Sequence, residues 1–265
     1  MRRRDNVINR RGRELVALVS RHLPQELDLK DGSWPVVAHA LLSRMATTLE
    51  SILDLQAREL EADAAILARS LYEHSVHFAW IAASPVERLE SWRKHDILER
   101  LKADDDTRRL GIETLTPANR AFFEGEVGPK PWKPQLKPLW KLAEGADEFW
   151  VEKLPGLDPT EKKRSFRGMY AVLYRHYSGM AHPSAMGLNR VFDELGGARR
   201  RIRIEHKYQG NGPYGMATVL FGFALLVASQ TIGWPHRDAV DKVFARYPDP
   251  KSGCLALLLR AVRRW

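Results

Sequence analysis

Cysteine is almost absent. Cys254 is the only one in 265 residues, so no internal disulfide and no cysteine-based metal cluster can form within one chain, and a reducing, cytoplasmic compartment is expected. The basic start Met1-Arg2-Arg3-Arg4-Asp5 has no continuous apolar run behind it, so it does not read as a signal peptide. No repeat at a fixed period is present. Gly210-Asn211-Gly212-Pro213-Tyr214-Gly215 is rich in glycine, but it has neither the Lys-Ser/Thr of a P-loop nor the spacing of a dinucleotide fingerprint, so it reads as a plain turn. Acidic residues are the minority charge. Thirty-three Asp and Glu face 42 Lys and Arg, a net charge of +9, and a pI near 9.7 favours anionic partners such as RNA, DNA or nucleotides. A surplus spread evenly over the surface also occurs on proteins that bind none of these.

What the chain does have is helical periodicity in an ordinary composition, 44% apolar and 28% charged. Residues 1–11 read as a solvated lead-in, followed by a short amphipathic helix from Gly12 to about His22 that Pro24 ends. Helices are expected over Val36 to Leu60, Ala62 to Ala83 and Pro85 to Lys102, the last with Pro at its first helical position. Short joints between such segments mark a bundle. The stretch Asp104–Thr160 holds seven prolines, so only short helices are expected there, over Pro117–Gly125 and Lys137–Gly145. It reads as a Pro-rich irregular insertion or cap, with Trp132, Trp140 and Trp150 as packing anchors or a lid.

A helix from Thr160 to His182 follows, then a shorter one from Ser184 to about Leu195. Arg199–His206 alternates charged and β-branched residues and suits a short strand or a basic extended edge. Gly215–Trp234 contains no charge and is about long enough to cross a bilayer. Ser229, Gln230 and Thr231, three glycines and the lack of a second span favour a helix buried inside the bundle, with no membrane partner. Arg237–Tyr247 and Ser252–Trp265 supply two last helices. The expected architecture is all-α: a single helical domain over 1–265, made of N-terminal helices (1–103), the insertion (104–160) and C-terminal helices (161–265), with at most a short β element.

Two helices concentrate polar chemistry. In the first, Arg69, Glu73 and His77 recur at intervals of four and share one face, with His74 beside them. In the second, Arg175 and His182 stand seven apart, two turns and roughly 10 Å along one side, with Ser178 between them. Tyr170, Tyr174 and Tyr177 fall on or beside that side, while Val172, Leu173 and Met180 are placed to face a core. Pro183 puts His182 at the helix's C-terminal end, where the helix dipole favours an imidazolium.

Arg175-His176 followed by His182 resembles the hallmark of the HEPN superfamily of helical nucleotide-binding and RNA-cleaving domains. Pairing Arg69–His74 with Tyr174-Arg175-His176-Tyr177-Ser178-Gly179-Met180-Ala181-His182-Pro183-Ser184 is similar to a widespread uncharacterised bacterial helical family, which implies that the two helices face each other. The HEPN resemblance implies metal-independent RNA cleavage through a ribose 2′-hydroxyl. In it His182 would act as general acid or base, Arg175 would clamp phosphate, and Ser178 or His176 would position the scissile group. Arg69, Glu73, His74 and His77 would complete the pocket from the opposite helix, with Tyr174 at its edge. It also implies a homodimer.

Two other readings of the same residues stand beside this one. Buried Arg, Glu, His, Ser and Tyr can satisfy one another as a structural polar core in a non-catalytic scaffold, or line a nucleotide-sensing pocket without catalysis. A metal site from Glu73, His74, His77 and His182 lacks the His-Glu-x-x-His spacing of zinc peptidases, and no metal or other cofactor is expected.

Overall fold

The computed structural model describes residues 2–23, 32–128, 130–132, 136–153, 165–175, 177–178, 192–194, 200–202 and 213–246. The described chain is an all-α bundle with one small β ribbon. Its helices are α1 (Arg2–His22), α2 (Trp34–Ala57), α3 (Glu61–Ala83), α4 (Pro85–Arg108), α5 (Pro117–Val127), α6 (Leu139–Lys153) and α7 (Ser165–Met169). A π-helical turn, Tyr170–Tyr174, continues α7, and α8 (Pro213–Thr231) and α9 (Arg237–Ala245) follow the ribbon. The ribbon pairs β1 (Phe192–Glu194) antiparallel with β2 (Arg200–Ile202), Asp193 opposite Arg201. The described part of the basic extended edge, Arg200–Ile202, is a strand, and Phe192–Glu194 is a strand too where a helix was expected. Valine and phenylalanine next to the Gly196-Gly197 break suit a hairpin arm as well as a helix end.

At the centre lies α8, buried from Pro213 through Ala228. Its apolar residues point all round because α1, α2, α3 and α9 surround it. Gly222 is required here, since a Cβ would overlap the ring of the fully buried Phe244 of α9. α2 and α3 form an antiparallel pair beside it, with Leu42, Met45, Leu49, Ile52, Leu71, Val76 and Phe78 fully buried. Complete burial of a Leu, Ile or Phe side chain contributes about 1.5–3 kcal/mol against leaving it exposed.

Three local readings are corrected. α1 begins near Arg2, not at Gly12: Ile8 and Arg11 are buried, Arg11 binds Glu14 at 2.5 Å, and Asn9 donates to the Leu53 carbonyl at 3.3 Å. Contacts to α2 thus hold in helical form a segment that its own arginines would leave solvated. Gly12 lets α1 approach closely, for a Cβ there would lie 2.9 Å from Leu53 and from Thr218. The second correction concerns the proline-rich stretch. α4 runs on to Arg108, and α6 is a fifteen-residue helix packed on α3 that places Leu142, Ala143 and Ala146 in the main apolar cluster. α6 is thus part of the core, whereas α5 buries none of its residues. Among the described prolines of the stretch, Pro117 opens α5 and Pro131 and Pro138 lie between helices, where a missing N–H costs nothing.

The third correction concerns the Thr160–His182 segment. Its described part is α-helical to Met169, widens over Tyr170–Tyr174, where the N–H of Arg175 bonds the carbonyl of Tyr170 five residues back, and is α-helical again at Arg175, Tyr177 and Ser178. The π turn rotates Arg175 and the residues after it together relative to α7, and the seven-residue register of Arg175 with His182 involves a residue outside the described ones.

Candidate functional site

The helix that carries Tyr174 is fixed from below before it presents anything outward. Asp147 of α6, 2% exposed, accepts hydrogen bonds from the backbone N–H groups of Phe166 (2.8 Å) and Arg167 (3.0 Å), the open first turn of α7. Tyr72 of α3 donates its hydroxyl to the Phe166 carbonyl at 2.7 Å. Phe166 itself is fully buried against Phe223 of α8, ring centroids 5.3 Å apart. Burial pushes the Asp147 carboxyl up to about 7, and the two backbone N–H groups only partly oppose this. Burial, with Asp147 next, also pushes the Tyr72 hydroxyl far above its ordinary value.

Above this anchor, Arg69, Glu73 and Tyr174 close a three-membered network. Tyr174 donates its hydroxyl to Glu73 Oε1 at 2.8 Å and accepts from Arg69 Nη2 at 3.1 Å, while Arg69 Nε reaches Glu73 Oε1 at 3.3 Å. The Arg69 guanidinium also lies 5.0 Å from the centroid of the Tyr174 ring. The side chains are 25% exposed for Arg69 and 36% for Glu73, so the network borders solvent and is not sealed in the core. Burial and then the Glu73 hydrogen bond raise the Tyr174 pKa, with Arg69 opposing.

The remaining sequence-derived residues part company. Arg175, directly after Tyr174, is exposed and makes no ion pair among the described residues. Ser178 is half-buried, and its Oγ is buried without a hydrogen-bond partner among the described residues. His74 donates Nδ1–H to the Ser70 carbonyl at 2.7 Å, which leaves Nε2 as its other ring nitrogen. His77 stands away from the network although it is four residues past Glu73. Its pKa is pushed down to about 4, by burial first and then by His74 and His95, and its Nδ1 has no partner among the described residues, so the ring is neutral at physiological pH. His176 and His182 lie outside the described residues, as do Gly179, Met180 and Ala181. Among the described residues no three His, Cys, Asp or Glu side chains converge as metal ligands would.

Asp147 escaped sequence reasoning because its partners are backbone groups nineteen and twenty positions away, and no local motif marks such a pairing. The Arg69–Glu73 half of the network was visible from its i, i+4 spacing.

These two helices, α3 and the one running through the π turn, fall within residues 36–199, the span matched by a family model. The chain belongs to DUF5677, a family of unknown function. No curated protein and no solved structure matches it. The DUF5677 span runs from the start of α2 almost to β2. It contains the Arg69–Glu73–Tyr174 network, Asp147 and Arg175, whereas the buried helix α8, against which α3 packs, lies beyond it.

Proposed function

We propose that the face formed by α3 and the π-containing helix binds a phosphate-bearing ligand, RNA in the first place, and that Arg175 is the cation that meets it. What carries the reading is the contrast between two adjacent residues. Tyr174 turns inward and is held by Arg69 and Glu73, whereas Arg175 is exposed and without an ion pair among the described residues. A guanidinium standing on a rigid polar base presents forked N–H donors that suit phosphate oxygens. The chain's net charge of +9 supports an anionic partner.

Binding without cleavage is the activity these groups support. Glu73 already holds both Arg69 and Tyr174, and the Tyr174 hydroxyl, with its pKa raised, is a poor base near neutrality. Metal-independent cleavage, the activity implied by the HEPN resemblance, needs an imidazole such as His182 to move the proton.

Fluorescence anisotropy of a labelled single-stranded RNA, run in EDTA and repeated at several salt concentrations, tests both. Arg175→Ala is expected to weaken binding about tenfold and to reduce the salt slope by about one, with an unchanged melting temperature. Equal affinity of wild type and Arg175→Ala would sink the binding reading. Cleavage of the RNA by wild type that disappears in His182→Ala would replace it with the endoribonuclease.

A further inference from the structure

We infer that the RNA is taken as a single strand, its bases stacking on a stair of aromatic rings and cations built from Trp140, Arg167, Tyr170, Tyr174 and Arg69; this rests on the phosphate-binding reading above and names the form of its ligand. The stair is assembled from three places in the sequence. On α6, the Lys141 ammonium lies 4.3 Å from the centroid of the Trp140 ring. From α7, the Arg167 guanidinium lies 4.8 Å from the same ring and 5.7 Å from Tyr170. Tyr170 and Tyr174 are stacked, 5.0 Å apart and 15° from parallel, and Arg69 of α3 covers Tyr174. Residues four apart along a helix lie on one face, which lets the two rings meet.

None of these rings is sealed in the core. Trp140, Tyr170, Tyr174 and Arg167 are half-buried and Lys141 is exposed. Arg69 is held by Glu73 and Tyr174, but the other two cations are weakly committed. Arg167 and Lys141 both pair with Glu144, at 3.3 and 2.9 Å, and all three side chains are 40–44% exposed, where an ion pair contributes little. With Arg175, four cations stand against the two carboxylates Glu73 and Glu144. A nucleobase stacks on an aromatic ring more strongly than an exposed cation rests on it, so a base can displace the cation and leave it free for the adjoining phosphate. A duplex keeps its bases stacked on each other and can use only the cations.

The test compares a short adenylate single strand, an RNA duplex of the same length and inorganic polyphosphate, by anisotropy or by competition. Wild type is expected to bind the single strand about tenfold or more tighter than either other anion. Tyr170→Leu and Trp140→Leu should bring the single strand down to the duplex level, while Tyr170→Phe, which keeps the ring, should retain the preference. Tyr170→Leu and Tyr170→Phe with matching melting temperatures read stacking apart from folding. Equal binding of single strand and duplex by wild type, or a preference that survives Tyr170→Leu and Trp140→Leu, overturns the stair. If duplex and single strand bind alike and Arg175→Ala weakens both, the stair fails while the phosphate site stands. No binding of any of the three anions removes both.

Discussion

Asp104 and Asp147 are both buried carboxylates, and they are held in opposite ways. Asp104, on α4 where the chain turns toward α5, is fully buried and receives donors on both oxygens. Arg108 Nε (2.7 Å) and Arg120 Nη1 (2.5 Å) reach Oδ2, while Thr114 N (3.1 Å), Thr114 Oγ (2.9 Å) and Leu115 N (2.9 Å) reach Oδ1. Burial acts to raise its pKa, but these bonds outweigh burial and hold the carboxyl well below the usual range. Asp147, under the candidate site, has two backbone N–H groups and no cation among the described residues, so burial wins and the pKa rises to about 7. The difference is full charge against dipole. Two guanidinium ions replace the lost hydration of a carboxylate, and two amides do not. One carboxylate locks a joint permanently, while the other holds its helix with a strength that changes near neutral pH.

The largest effect is expected from Asp104→Asn. The asparagine amide can present its oxygen to only one of the two donor groups, so its NH₂ must face either the arginines or the Thr114–Leu115 backbone. A fall in melting temperature of roughly 5–10 °C is predicted, and a melting temperature within a degree of wild type would mean that the joint is not held by this carboxylate. Next comes Arg120→Met, which removes one cation from Asp104 together with the bonds to Asp105 and Glu124. A loss of about 2–5 °C is expected. Because a lowered carboxylate pKa stabilises above the unfolded value and that stability is lost in acid, the variant should also begin acid unfolding at a higher pH than wild type.

The smallest effect is the most discriminating. The Asp147 pKa is raised from 3.8 to about 7, so the folded chain holds a proton that the unfolded chain releases, and the associated stability is full below about pH 4 and is lost as pH rises through 7. Asp147→Asn cannot titrate. It should lose a constant amount from one missing acceptor, about 1 kcal/mol, and the wild-type lead in melting temperature should close and reverse as pH rises from 5 to 8. A gap that stays constant over that range would put Asp147 in the same class as Asp104.

Much of the frame was legible along the chain. The helices α2, α3, α4, α8 and α9 follow from apolar spacing and from Pro85 at a helix start, and the all-round apolar character of α8 marked it as a buried centre. The i, i+4 pair Arg69–Glu73 was visible for the same reason. What could not be read depended on partners. Nothing local marks Arg2–Arg11 as helical until Ile8 is buried in the core and Asn9 meets Leu53 of α2, and the proline count of 104–160 concealed that α6 packs on α3.

The sequence by itself determined that this is a helical protein with one uncharged central helix and two helices carrying paired polar groups, because periodicity and breaker residues act within a few positions. Only the tertiary structure decided which polar groups are spent on each other and which face solvent. Tyr174 and Arg175 are neighbours in sequence, yet the π turn and the anchor at Asp147 send one into Glu73 and leave the other open. Pairing, burial and charge compensation are set between segments far apart along the chain, and those distances exist only after folding.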